Sequence, residues 1–128
     1  MLLAPAVGFI IAAISGVPLL IPDLNTGGAI FTSVVTIGAL TLLTRALHWD
    51  GLADTVDALA SGKPAASALQ IARRSDLGPV GAVAIMTAFA LQVSALSVLV
   101  APGTGYLAWI VACTAGTVSY THLTLPTS

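Results

Sequence analysis

Charged side chains are scarce in this sequence: they make up 7% of its 128 residues, and glutamate is absent. A soluble domain of ordinary composition has about a quarter of its residues charged. Hydrophobic residues account for 57% of the chain, and the mean hydropathy is +1.02. That leaves too little polar surface to cover an apolar core in water. The composition excludes an ordinary soluble domain and predicts that lipid is the surrounding medium.

Aromatic residues are also scarce, at 5%, and only four residues are basic. The chain therefore lacks the stacking platforms and the positive surface that nucleic-acid-binding proteins use, and no nucleic-acid partner is expected. The single cysteine, Cys113, has no partner for an internal disulfide. It lies in an apolar stretch without a neighbouring histidine, so a packing role is predicted for it.

Long apolar runs dominate the rest of the sequence. About twenty apolar residues in a helix span the hydrocarbon layer of a bilayer. Runs of this kind cover Leu2 to Ile21, Ala29 to Leu47 and Val80 to Ala101, and a fourth begins at Tyr106 and breaks off near Ala115. The predicted fold is all-α, a polytopic transmembrane helical bundle with about three full spans and a partial fourth. A cleaved signal peptide is a weaker reading of the first run, because no basic residues precede it.

The last residues differ in composition from everything before them. From Val118 onward the sequence is rich in threonine, serine and proline. We expect residues 118–128 to be a non-native read-through tail, and residues 1–117 to form part of one membrane-embedded domain.

The basic residues predict an orientation for these spans. All four lie in the connection between the second and third runs, namely Arg45, Lys63, Arg73 and Arg74. Since loops that carry an excess of Lys and Arg face the cytoplasm, residues 45–79 and the N-terminus are predicted to be cytoplasmic.

Three aspartates in this connection form a row. Asp50, Asp54 and Asp57 stand at positions i, i+4 and i+7, within about 60° of one another on a helical wheel. Carboxylates stacked in this way repel one another unless a cation lies among them. Ligand sets made only of oxygen favour Mg²⁺, which proteins hold with a few carboxylates and substrate phosphates. An acidic, solvated helix face is the alternative, but ionisable groups beside a membrane are costly, so the metal site is favoured.

Polar residues on both sides of this row extend the candidate site. His48 is either a proton acceptor or a hydrogen-bonded histidine at the interface. A second short helix is predicted from Ala65 to about Arg74. After it, Arg73, Arg74 and Ser75 are predicted to bind a diphosphate. The alternative for the two arginines is that they anchor the next span to anionic lipid.

At these residues the chain resembles the adenosylcobalamin synthase family, the adenosylcobinamide-GDP ribazoletransferases of vitamin B12 assembly. The resemblance lies in His48-Trp-Asp-Gly-Leu-Ala-Asp-Thr-Val-Asp57, which matches the family pattern H-x-D-G-x-x-D-x-x-D throughout. A second family pattern, L-E-I-M-K/R-D-S-x-x-G-x-x-G, is followed less closely from Leu69 to Gly81. Gln70 stands where the family usually has glutamate, and the charges of Arg74 and Asp76 are exchanged in order. The resemblance covers the N-terminal half of the family's chain.

The resemblance implies a magnesium-dependent transferase. Its reaction joins adenosylcobinamide-GDP and α-ribazole (or its phosphate) to give adenosylcobalamin (or its phosphate) and GMP. Mg²⁺ would be held by the three aspartates, and His48 or an aspartate such as Asp54 would take the proton of the nucleophile. Arg73, Arg74, Ser75 and Asp76 would bind the substrate. The implied location is the cell membrane, in contact with the lipid bilayer, as a homo-oligomer or in a complex with other cobalamin-assembly enzymes.

Two other functions remain open on the sequence. CDP-alcohol phosphotransferases also place several aspartates on membrane helices, but their pattern requires arginine where Asp54 stands. An ion or proton transporter could line its path with aspartates. That arrangement would place the acids inside spans, whereas these lie in a connection beside paired arginines.

Overall fold

The structure is a computed structural model that describes residues 3–21, 28–64, 67, 77–100 and 102–124, with the backbone alone for 118–124. The described residues form five α-helices, which confirms the all-α prediction. They are α1 (Leu3–Ser15), α2 (Ala29–Leu43), α3 (Leu47–Ala60), α4 (Pro79–Val100) and α5 (Gly105–Thr124), with a short 3-10 helix (Val17–Leu20) after α1.

The first two apolar runs form shorter helices than the sequence predicted. The run from Leu2 to Ile21 is divided because Pro18, which has no backbone N–H, lies in the first turn of the 3-10 helix. α2 ends at Leu43, four residues before the predicted end at Leu47. There Arg45 and Ala46 adopt left-handed backbone conformations, with φ of 53° and 59°. Two such residues cannot continue a right-handed helix.

One described helix, α4, is long and apolar enough to cross a membrane by itself. α2 and α3 meet the same criteria only when taken together as a bent pair. α1 and the part of α5 up to Thr117 are shorter apolar helices. The bundle of three spans therefore stays a prediction. α5 continues to Thr124, twenty residues instead of the expected ten, and nothing tests the origin of residues 118–128.

The chain divides into two compact units. One comprises Met1–Leu43 and Val93–Ser128. Within it, α1 packs closely on α5: a Cβ added to Gly8 would lie 2.5 Å from Thr117 Oγ1. The buried Trp109 donates a hydrogen bond from Nε1 to Ser15 Oγ, at 3.0 Å. Threonine and serine side chains of α2 are fully buried in this unit, namely Thr32, Ser33 and Thr36.

The other unit is Thr44–Gln92. It contains α3, which carries the aspartate row, and the first part of α4. α3 ends at Ala60 and is followed by Gly62 in the left-handed conformation, with φ of 61°, as is common after helix C-termini. All described residues of the candidate site lie in this unit.

Candidate functional site

α3 presents the motif with its polar and apolar residues on different faces. Trp49 and Ala53 are buried, whereas Asp50 is exposed and Asp54 is half-buried. The prediction of a helix through the aspartate row is confirmed. The helix begins at Leu47, so it also contains His48.

The buried face of α3 packs against the first part of α4. The ring centroids of Trp49 and Phe89 lie 6.1 Å apart. A Cβ added to Gly81 would lie 3.0 Å from the carbonyl oxygen of Ala53. Asp57 stands four residues after Ala53 and thus near the same face. Trp49, near the start of α3, contacts Phe89, whereas Asp57, near the end of α3, contacts Gly78 and Gly81 at the start of α4. The two helices are therefore antiparallel in this unit.

Asp57 uses its carboxylate to bind the start of α4. Its Oδ2 accepts a hydrogen bond from the backbone N–H of Gly78 at 2.9 Å, and its Oδ1 accepts one from Gly81 at 2.8 Å. Both glycines lie so close that an added Cβ would overlap the carboxylate. We refer to this arrangement of Asp57, Gly78 and Gly81 as the Asp57 clamp.

The clamp replaces a cap that α4 does not have in its own sequence. The first turn of α4 contains no acidic residue, and the residue before it is Gly78, which has no side chain. Helix N-termini expose N–H groups that need acceptors. A capping box satisfies the N–H groups of the N-cap and of the third helical residue with two side chains. Here one carboxylate from another helix accepts both bonds, and its negative charge faces the positive end of the helix dipole.

The geometry of α3 does not test the predicted magnesium site as a whole. Seven residues of helix correspond to a rise of about 10 Å, so Asp50 and Asp57 lie about two turns apart. Within the described ranges, no group of three or more His, Cys, Asp or Glu residues is placed to hold a metal ion. Asp50 and Asp54 are neighbours on successive turns, and two carboxylates with substrate phosphates suit Mg²⁺. The three-aspartate site stays a prediction.

His48 lies on the side of α3 opposite Asp50, since two residues of helix turn the chain by about 200°. Its Nδ1 shares a hydrogen bond of 3.1 Å with Thr44 Oγ1, and its ring lies 4.9 Å from that of Trp49. Partial desolvation lowers the pKa of His48 below its ordinary value, because loss of hydration disfavours the charged imidazolium. The neutral form, which can accept a proton, is therefore favoured.

The predicted substrate-binding residues Arg73, Arg74, Ser75 and Asp76 lie outside the described residues. The same holds for the helix predicted from Ala65 to Arg74, apart from Ser67.

Gly78 and Gly81 are functional candidates that the sequence reasoning did not identify as partners of Asp57. A signal for them was present in Gly78-Pro79-Val80-Gly81. Proline at the first helical position after a glycine, which has no capping side chain, is compatible with a helix start that takes its acceptor from elsewhere.

Comparison with known proteins agrees with the resemblance at the motif. The sequence profile of a family described as Cobalamin-5-phosphate synthase matches residues 1–127. An adenosylcobinamide-GDP ribazoletransferase of Sinorhizobium medicae is 38% identical over 93 residues, which are 73% of this chain and 36% of the relative. One of Nocardioides sp. is 38% identical over 105 residues, 77% of this chain and 43% of the relative. One of Xanthobacter autotrophicus is 47% identical over 73 residues, which are 57% of this chain and 28% of the relative.

The chain thus spans less than half the length of each of these relatives. No solved structure matches it.

Proposed function

The chain belongs to the Cobalamin-5-phosphate synthase family, and on that premise we propose that it is part of a membrane-bound transferase that catalyses the final step in assembly of the cobalamin nucleotide loop. The observation that carries the proposal is the family match over residues 1–127, which includes the motif from His48 to Asp57. Several relatives bear the name adenosylcobinamide-GDP ribazoletransferase. The substrates proposed for this chain are accordingly adenosylcobinamide-GDP and α-ribazole or its phosphate.

The proposed reaction is a phosphoryl-type transfer. A hydroxyl oxygen of α-ribazole forms a bond to the phosphorus of the adenosylcobinamide phosphate group. The bond from that phosphorus to the oxygen bridging it to GMP breaks, so GMP leaves with the electron pair. The hydroxyl proton passes to a base of the protein. The products are adenosylcobalamin, or its phosphate when α-ribazole phosphate is the acceptor, and GMP.

Asp50 and Asp54 are the residues proposed to hold Mg²⁺, with Asp57 as the third member of the predicted set. Among the described residues, the carboxylates of Asp50 and Asp54 make no hydrogen bond or ion pair, so their oxygens are open to a ligand. A bound Mg²⁺ would supply positive charge against the diphosphate oxygens. Such charge is effective because it is in place before the transition state forms.

The remaining roles follow the sequence predictions. Arg73, Arg74, Ser75 and Asp76 are proposed to bind the substrate, with the two arginines on its phosphate oxygens. His48 or Asp54 is proposed to take the proton, and the lowered pKa of His48 supports the neutral, accepting imidazole. Because His48 lies on the other side of α3 from Asp50, Asp54 is the better-placed base for a substrate at the aspartates.

The proposed setting is a multi-pass arrangement in the cell membrane with residues 45–79 facing the cytoplasm. One helix that meets the criteria for a span, α4, and the four basic residues of the connection support it. Association into a homo-oligomer, or with other cobalamin-assembly enzymes, is compatible with this setting.

The test is Asp54→Asn in the protein reconstituted in lipid vesicles, with release of GMP as the measurement. Magnesium-dependent turnover is expected to be lost while membrane insertion is retained. Thr55→Ala is the matched control, because the exposed Thr55 hydroxyl bonds only to Gly51 O of its own helix. Turnover of Asp54→Asn equal to that of the control would remove Asp54 from the site. Ion flux in vesicles without any nucleotide substrate would instead favour the transporter.

A further inference from the structure

The Asp57 clamp gives one member of the aspartate row a role different from that of the other two. Both carboxylate oxygens of Asp57 accept backbone hydrogen bonds from α4, whereas those of Asp50 and Asp54 accept none in the described part of the chain. On a helical wheel Asp57 falls between Ala53, which faces α4, and Asp50. It therefore stands at the border between the packing face and the acidic face.

We infer that Asp57 is a positioning residue, which fixes the start of α4 against the helix that carries Asp50 and Asp54. The inference rests on the proposed function for its consequence in catalysis, but its structural content does not. The two glycines are part of the device. Any side chain at Gly78 or Gly81 would occupy the space of the carboxylate, so only glycine lets α4 approach α3 closely enough to be capped by it.

The clamp fixes Gly78 and Gly81, at the start of α4, against the helix that carries the aspartates proposed to bind Mg²⁺. Reacting groups gain much of their rate from such restraint.

Charge makes aspartate the suitable residue for this position. A carboxylate accepts two hydrogen bonds with two equivalent oxygens, whereas the amide of asparagine can accept with only one and presents donors on the other side. Hydrogen bonds from N–H groups to a carboxylate are stronger than neutral ones. Asp57→Asn therefore removes one bond and weakens the other with little change in shape.

The first test follows hydrogen exchange of the Gly78 and Gly81 amides by NMR in detergent micelles. Asp57→Asn is expected to speed exchange at both amides by about tenfold or more. Asp50→Asn is the matched control, because it removes the same charge from the same helix and leaves the clamp intact. Unchanged exchange in Asp57→Asn would overturn the inference. Gly78→Ala provides a second variant. Its added Cβ would displace the Asp57 carboxylate, so exchange of the Gly81 amide is expected to be faster.

The second test measures Mg²⁺ binding by calorimetry with Mg²⁺ alone. Asp54→Asn is expected to lose the binding of the unaltered protein, and Asp57→Asn is expected to keep it while kcat falls. Loss of Mg²⁺ binding in Asp57→Asn to the extent seen in Asp54→Asn would identify Asp57 as a ligand and overturn the inference. If the unaltered protein binds no Mg²⁺, the proposed metal site fails, and the exchange experiment alone decides the role of Asp57.

Discussion

Asp57 and Gly81, twenty-four residues apart in the chain, are joined by a hydrogen bond of 2.8 Å from the Gly81 N–H to Asp57 Oδ1. The bond links the end of the acidic motif to the first turn of α4, which among the described helices is the one that meets the criteria for a membrane span by itself. A residue that the sequence presents as one of three equivalent acids is thus part of the contact between two helices. Its two carboxylate oxygens are held by backbone N–H groups of Gly78 and Gly81.

Gly81→Ala is expected to destabilise the unit formed by α3 and the start of α4. The new Cβ would overlap Asp57 Oδ2 and lie 3.0 Å from the carbonyl oxygen of Ala53, which is backbone and cannot move aside easily. Overpacking of this kind costs about 1–3 kcal/mol. The measurement is thermal unfolding in detergent micelles, followed by circular dichroism.

Gly38→Ala is the control for that experiment. Gly38 lies inside α2, and an added Cβ would meet nothing within 4 Å. Alanine is favoured over glycine in a helix by about 1 kcal/mol, so this variant should be as stable as the original or slightly more so. Equal stability of Gly81→Ala and Gly38→Ala would contradict the close approach at the clamp.

The sequence predicted the helices better than their contacts. The period of Asp50, Asp54 and Asp57 correctly placed a helix at the motif, and apolar composition correctly located α4. A helical wheel gives the direction of each aspartate side chain but not the axial rise, which separates the first and last aspartates by about two turns. The partners of Asp57 could not be read from a wheel, because they belong to another helix.

The break between α2 and α3 lies a few residues earlier than predicted for a different reason. Arg45 and Ala46 are ordinary helix-forming residues, so no local signal marks them as left-handed. They adopt that conformation although it is unfavourable for residues with a Cβ, which means that contacts elsewhere compensate for it.

Ala46→Gly should therefore stabilise the protein. Ala46 has φ of 59° and precedes α3 as its N-cap, with no side-chain hydrogen bond to lose. Relief of left-handed strain contributes about 1–2 kcal/mol, and the greater freedom of glycine in the unfolded chain offsets about 0.5–1 kcal/mol of that. A small net increase in the midpoint of thermal unfolding is expected. Ala58→Gly, inside α3, should lower the midpoint, and a decrease in both variants would argue against strain at Ala46.

Gly8→Ala is expected to weaken the packing of α1 on α5. The added Cβ would lie 2.5 Å from Thr117 Oγ1 and 2.6 Å from its Cγ2. The cost should be about 1–3 kcal/mol. Both of these atoms are removed by Thr117→Ala, so the double variant Gly8→Ala with Thr117→Ala should recover most of the stability lost. Failure of that rescue in thermal unfolding would show that Gly8 is sensitive for a reason other than contact with Thr117.

A hydrogen bond between Ser15 and Trp109 should contribute measurably to the same unit. Trp109 Nε1 donates to Ser15 Oγ, and the hydroxyl in turn donates to the carbonyl oxygen of Ala12 at 3.3 Å. Both residues are buried, so a lost partner is not replaced by water. Ser15→Ala leaves the indole N–H unpaired, whereas Trp109→Phe removes the donor together with part of the ring. The stability change of either single variant therefore combines the loss of the hydrogen bond with a change in packing.

A double-mutant cycle separates the two effects, because the packing loss of Trp109→Phe appears in both arms and cancels. The expected coupling energy between Ser15→Ala and Trp109→Phe is about 0.6–1.5 kcal/mol, the range found for hydrogen bonds within soluble proteins and between membrane helices. It would be obtained from reversible unfolding of the four proteins in mixed micelles. A coupling near zero would mean that the indole N–H gains as much from the surrounding medium as from Ser15. The fully buried position of Ser15 argues against that outcome.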